Sequence, residues 1–595
     1  MKQKKRSEIA EKDTWDLTPI FKNDDEFNKE YDLFNREKSK ILEFKDKLLS
    51  SAKTLSDFLN LSDSLERRLY KLYYYAHLNF DVDTTNSKNL ERVERVSRLM
   101  TEFSSLNSFV GPELLNGNYE LVLKYIREEE NLLKYKFNLE DLYRYKNHTL
   151  SEKEERILST LGVSLSAPSS IYETLTDSDF TFGNILVDGE KYEFTESNYT
   201  TFIESSNRHT RKRAFNLLFK TYEKFSRTFA DTFRFNVETH SKLALIKNFK
   251  SSIEASLYHD NIDIAVYNNL IKTVRNNLNV LYDYYNLKKE VLVLSSMHLY
   301  DIYANMVLDV DKKYSFDEAR EIVLDGLKVL GDDYQKKLKK AFNNRYIDIY
   351  NNKGKRGGAY SSGFYDTNPY ILLNFEGKYN DVTTLAHELG HSMHTMYSCE
   401  NNPYNTSSYQ IFVAEVASTV NELILIKYLI KKTDNKKEKL YLLNKLLELF
   451  KGTIFRQTMF AEFEKNMYES HEKGIVLTSD YLKNEYYKLV CDYFGKNVIC
   501  DKLIENEWER IPHFYYNFYV YKYAIGLSAA CKIVRDIENS GKVDKYLNFL
   551  KTGGSMYPSE ELLVCDVDIH NPKFIEEAIQ FFKETIEEFR KTYKE

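Results

Sequence analysis

The sequence is short of the residues that interrupt helices. Its 595 residues include only 8 Pro and 20 Gly, and no Pro falls between Pro168 and Pro369. That excludes a fold built on frequent tight turns, and long runs of Lys, Glu, Leu and Tyr with apolar positions recurring at three and four predict a mainly α-helical protein. Cysteine is scarce as well. Cys399, Cys491, Cys500, Cys531 and Cys565 make no Cys-x-x-Cys pair, which argues against thiolate zinc or dithiol redox chemistry and makes a reducing cytoplasm the expected location. An excess of positive charge is also lacking. A net charge of −6 offers no basic field for a nucleic-acid backbone, so nucleic acid is not an expected partner. No run approaches the ~18 apolar residues that would span a bilayer, and no membrane association is expected. The start, Met1 to Glu8, is basic but is followed by charged residues rather than the apolar stretch of a secretory signal.

What is present is helical patterning. Residues 13 to 165 read as successive amphipathic helices, among them Leu65 to Leu78 and Leu90 to Leu106, without a fixed-period repeat. Phe180 to Phe194 alternates about Asp188 and Gly189, a hairpin signal inside a helical protein. Helical spacing returns from about 200 to 345. Then come the Gly-rich Lys353 to Tyr360, the turn at Asn368 and Pro369, and Tyr370 to Phe375, which together read as one or two strands. The Gly and Lys of this stretch lack the order of a phosphate loop. After Phe375 helix is expected to the end, with a break at Thr552, Gly553, Gly554 and Ser555. No low-complexity linker divides the chain. Lobes around one cleft are therefore expected, with a helical lobe over 1–200 that contains the hairpin and a second region over 201–595. The 47 Tyr and 37 Phe follow as readily from codon usage as from function.

The second region contains His387-Glu388-Leu389-Gly390-His391, on a helix whose expected N-cap is Asp381 and whose apolar stripe is Val382, Leu385, Ala386, Leu389 and Met393. Residues four apart share one face, so His387 and His391 can offer ring nitrogens to one ion at about 2.0–2.1 Å. Glu388, turned about 100° around the helix, stays beside the ion, where it can take a proton from water. Chance gives this pattern about once in fifty chains of such length and composition, and an ordinary structural helix stays open as the alternative. A second helix over Tyr409 to Glu422, beginning after Thr406, Ser407 and Ser408, gathers Glu415, Ser418, Thr419 and Glu422 on one polar face. Val413, Val416, Val420 and Ile424 lie opposite. A carboxylate on a buried helix needs a partner, which makes Glu415 the candidate third ligand, with Ser418 and Glu422 as its supports. Two histidines and a carboxylate leave one tetrahedral position open, as catalytic zinc requires. His394 is read as a packing or supporting residue, because a fourth protein ligand would close the site. A di-iron carboxylate site needs two Glu-x-x-His pairs on different helices, and only Glu388 with His391 is present.

These segments resemble the thimet-oligopeptidase-like zinc peptidases, in their oligoendopeptidase F branch. The resemblance runs nearly end to end, through Lys12 to Phe21, Gly357 to Tyr360, His387 to His394, Phe412 to Thr419, Ile511 to Ala524 and Gly553 to Pro558. It implies a mainly α, zincin-type metallopeptidase with two lobes around a deep cleft and a small β element beside the motif helix. It also implies one Zn2+ per chain on His387, His391 and Glu415, with Glu388 as the catalytic base. His513 and a tyrosine of the following run would bind substrate and the tetrahedral intermediate; Tyr523 and Tyr516 match best, with Tyr519 and Tyr521 as alternates. The implied partners are short unstructured peptides, cut internally. Gly357 to Tyr360 and Tyr370 to Phe375 could hold such a peptide as an added strand, with Gly357 and Gly358 allowing close backbone approach. A non-catalytic helical peptide-binding protein and a carboxypeptidase on the same fold remain the alternatives.

Overall fold

The computed structural model describes residues 4–307 and 312–595. Helices dominate, and the two read from periodicity are present as Ala52–Asp81 and Ser87–Leu106, packed on each other. Polar side chains start both: Ser51 accepts from the Thr54 N–H and Asn86 from the Lys88 N–H. The chain forms two compact units, each assembled from three stretches. The first comprises Met1–Glu152, Lys312–Tyr428 and Ile533–Asp566; the second comprises Lys153–Asp311, Leu429–Lys532 and Val567–Glu595. This division interleaves along the sequence, unlike the sequential boundary expected at 200, and it assigns the hairpin to the second unit. Among the described residues no helix is long and apolar enough to cross a membrane.

In the first unit, the strands Ile347–Asp348, Tyr360–Ser362 and Tyr370–Leu372 form a sheet packed on the helix Tyr379–Asn401. Tyr370–Leu372 is the middle strand, parallel to the first and antiparallel to the second, with Ile371 opposite both Ile347 and Ser361. Asp348 is completely buried, and its charge is compensated by Arg6 and by Lys355. Trp15 packs edge-on against Tyr370, with ring centres 6.0 Å apart. Both expected strands are present, but Tyr370–Leu372 is buried and paired on both sides. It cannot accept a further strand, so that part of the peptide-pairing expectation is corrected; Tyr360–Ser362 is the sheet edge. A side chain at Gly357 or Gly358 would meet open space rather than a neighbouring segment of the chain. Gly358 instead adopts φ +81°, which its lack of a side chain permits.

The motif helix starts three residues earlier than expected. Asp381 is its third residue rather than its N-cap, and its carboxylate accepts the N–H groups of Lys378 at 2.8 Å and Glu376 at 3.0 Å. In the second unit, Asn184–Val187 and Glu190–Glu193 pair antiparallel, with Asp188 at φ 49° and Gly189 at φ 90° turning the chain as the hairpin signal requires. A parallel pair, Met297–His298 with Val498–Ile499, has no counterpart in the sequence reading. The pairing of Cys491 with Cys500 in a disulfide, Cα atoms 5.7 Å apart, was likewise not legible from cysteine spacing. The helices Ser226–Ile246, Gln457–Glu472 and Ser479–Phe494 pack with Lys502–Arg510, and Phe514 is held between Phe463 and Phe233 at 5.3 and 5.9 Å.

Candidate active site

One helical turn separates His387 from His391 on Tyr379–Asn401, and their rings meet at right angles with centres 4.9 Å apart. The helix Ile411–Lys432 approaches this face because Gly390 lacks a side chain. A Cβ there would stand 2.6 Å from Ser418 Cα and 2.8 Å from the Ala417 carbonyl oxygen. Close approach delivers Glu415, whose Oε2 lies 3.5 Å from His387 Nε2 and 4.0 Å from His391 Nε2. Tetrahedral bonds of about 2.0–2.1 Å place neighbouring donor atoms roughly 3.3 Å apart, so the two imidazoles and the carboxylate fit a zinc-sized ion. Among the described residues they form the one group of His, Cys, Asp or Glu with this convergence.

Each candidate ligand is braced from behind. Glu422 Oε2 lies 3.2 Å from His387 Nδ1, which leaves Nε2 to face Glu415. His391 faces the Ala414 backbone, which favours its charged form. Ser418 Oγ donates to the Glu415 backbone carbonyl at 3.0 Å and lies 3.4 Å from its Oε2. Burial by itself would lower the pKa of His387, but the hydrogen bond and charge of Glu422, with the charges of Glu388 and Glu415, outweigh it and raise the value to about 8. His391 has no such carboxylate partner, and burial pushes it down to about 3.

Glu388 is only 7% exposed, and burial raises its carboxyl to about 7, where it can take and return a proton near neutrality. The Ser361 backbone N–H faces it and partly opposes that rise. Ser361 Oγ also bonds Ser392 Oγ at 2.8 Å, one turn beyond Glu388, which stitches the edge strand to the motif helix. Nothing in the sequence singles out Ser361. His394 is completely buried, stacked on Tyr409 at 3.6 Å, and burial lowers its pKa to about 3; it packs. The Gly553–Gly554 break also has a structural reason. Gly554 N–H donates to the Thr406 carbonyl at 2.8 Å, and a Cβ on Gly554 would lie 2.2 Å from the Ser408 carbonyl oxygen, in the loop that leads to Glu415.

His513, Tyr516 and Tyr523 belong to the second unit, whereas His387, Glu388, His391 and Glu415 belong to the first. Within the second unit the tyrosine run separates into two sets. Phe514, Tyr515, Phe518, Val520 and Tyr521 are buried, Tyr521 completely, which removes it as a substrate-facing alternate. Tyr516 is 50% exposed, and Tyr519 and Tyr523 are half-buried. His513 gathers them, with ring centres 5.7 Å from Tyr516, 6.3 Å from Tyr519 and 5.8 Å from Tyr523. Its Nε2 lies 3.3 Å from the Tyr523 hydroxyl, and burial lowers its pKa.

Comparison with known proteins adds an independent finding. Residues 201–581 match peptidase family M3, and residues 113–182 match the N-terminal family described as Oligopeptidase F. The chain is 42% identical to oligopeptidase PepF of Bacillus subtilis, over 98% of this chain and 88% of that one. A crystal structure from Chlamydophila abortus superposes with a TM-score of 0.93 at 35% identity, covering 99% of this chain and 100% of the other. Oligoendopeptidase-F from Enterococcus faecium gives 0.75 at 31% identity, covering 96% and 99%.

Proposed function

The chain belongs to peptidase family M3, in its oligopeptidase F branch, and from that premise we propose that it is a zinc-dependent endopeptidase cutting internal bonds of short, unstructured peptides. The observation that carries this reading is the convergence of His387, His391 and Glu415 beside the buried carboxyl of Glu388. Zinc held by those three residues would supply a Lewis acid and lower the pKa of bound water toward 7. Glu388 takes the proton from the water that attacks the peptide carbonyl and returns it to the leaving amide nitrogen. The Ser361 N–H keeps that carboxyl aimed, and Glu422 and Ser418 keep the ligands in orientation. The edge strand Tyr360–Ser362 pairs with an extended peptide through main-chain groups, which read little side-chain sequence.

By family resemblance, His513 with Tyr523, or Tyr516, serves the charge that develops on the carbonyl oxygen, and loss of one such donor costs about 10²- to 10³-fold in rate. A purely binding role gives no reason to bury Glu388 beside three metal donors.

The test is a ladder of end-blocked, quenched fluorescent peptides offered beside casein, with and without a chelator. We expect internal cleavage of peptides roughly 5 to 20 residues long, resistance of casein, loss of activity on chelation and its return with added zinc. Cleavage confined to peptides with a free C-terminus would establish a carboxypeptidase instead. Activity that survives complete chelation would contradict the metal mechanism.

A further inference from the structure

Two side chains that carry no motif hold the tyrosine segment in shape. Asn517 and Phe518 are consecutive non-glycine residues with left-handed backbone, φ 51° and 58°. L-residues adopt that conformation at a cost and keep it only where the surroundings enforce it. Here Glu464, on the helix Gln457–Glu472, accepts the Phe518 N–H at 2.7 Å, and Ser256 Oγ donates to the Asn517 carbonyl at 2.7 Å. The Phe518 ring is 1% exposed, 4.6 Å from Tyr468 and 5.9 Å from Tyr267 by ring centres. The reversal so held lies between Tyr516 and Tyr519, and it turns both away from the core while Phe518 enters it.

Glu464 is completely buried and its second carboxylate oxygen has no hydrogen-bond partner. Burial, which favours the uncharged form, raises its pKa to about 8 against the opposing effect of the Phe518 N–H. An isosteric amide can accept the same N–H.

We propose that Glu464 and Ser256 form a clasp on the Asn517–Phe518 reversal that sets the directions of Tyr516 and Tyr519 relative to His513 and Tyr523. Glu464 is a positioning residue, acting through the backbone of Phe518. Where activity is the readout, the inference rests on the peptidase reading; where backbone exchange is the readout, it does not.

The experiment compares Glu464→Gln, Glu464→Leu and Ser256→Ala in the full chain. Hydrogen exchange of residues 512–521 is followed against the helix Ala52–Asp81 of the other unit as an internal control, and kcat and KM are measured on an end-blocked peptide. Glu464→Leu should speed exchange over 512–521 alone and lower kcat by about 10²-fold with KM nearly unchanged. Glu464→Gln should keep wild-type exchange and kcat, and Ser256→Ala should shift both in the direction of Glu464→Leu, by less. Unchanged exchange and kcat in Glu464→Leu would overturn the clasp, as would a Glu464→Gln variant as impaired as Glu464→Leu. If Glu464→Leu does not fold, Ser256→Ala decides: faster exchange over 512–521 supports the clasp, and unchanged exchange overturns it. A wild-type chain that cuts no blocked peptide defeats the peptidase reading, while the exchange measurements still decide the clasp.

Discussion

Glu422 touches no atom that would bind the metal, yet it selects which nitrogen of His387 faces Glu415. Replacing it by glutamine keeps the size and removes the charge that polarises the ring. Glu422→Gln should weaken zinc binding by about 10- to 100-fold with all three ligands in place, measured by competition with a chromogenic chelator. Wild-type affinity would show that the Nδ1 contact is incidental. His387, Glu388, His391, Glu415 and Glu422 were legible because helical spacing alone decides which side chains share a face. Ser361, Ser256 and Glu464 were not. Each acts on a residue 27 to 261 positions away along the chain, and each through a backbone group that no side-chain pattern records. The tyrosine run shows the same limit, since only burial separates Tyr521 from Tyr523.

At the scale of elements, the candidate metal centre depends on how closely two helices approach. Gly390 touches backbone atoms of Ser418 and Ala417 rather than flexible side-chain ends, so an added methyl has nowhere to go. Gly390→Ala should destabilise the fold by about 1–3 kcal/mol and weaken zinc binding, because separating the helices withdraws Glu415 from the histidines. Thermal unfolding and zinc titration check both effects; a variant with wild-type Tm and affinity would show that the added methyl does not push the helices apart. The hairpin at 184–193 was legible because its turn is local. The pairing of Met297–His298 with Val498–Ile499 joins segments some 200 residues apart, and two-residue strands carry no periodicity of their own. The cap of the motif helix was misplaced for a related reason. Asp381 bonds the N–H groups just before the helix from inside its first turn, so the acidic residue lies past the start it stabilises.

At the scale of the molecule, the candidate metal donors come from the single stretch 387–415, whereas the unit that carries them is completed by Ile533–Asp566, whose helix Val543–Lys551 packs on the motif helix. A local stretch can be read from spacing; a return of the chain after more than a hundred residues cannot. About 380 residues precede the motif and about 200 follow it, and the proposed restriction to short peptides is a property of that whole body rather than of the zinc ligands. The measurement that tests the proposed chemistry most directly is zinc content and turnover of a blocked peptide, read on the same preparations of wild type and Glu388→Gln. A base that is not a ligand predicts one zinc per chain in both proteins and a kcat about 10²- to 10⁴-fold lower in the variant. A variant within tenfold of wild type, or one that has lost its zinc, would contradict it.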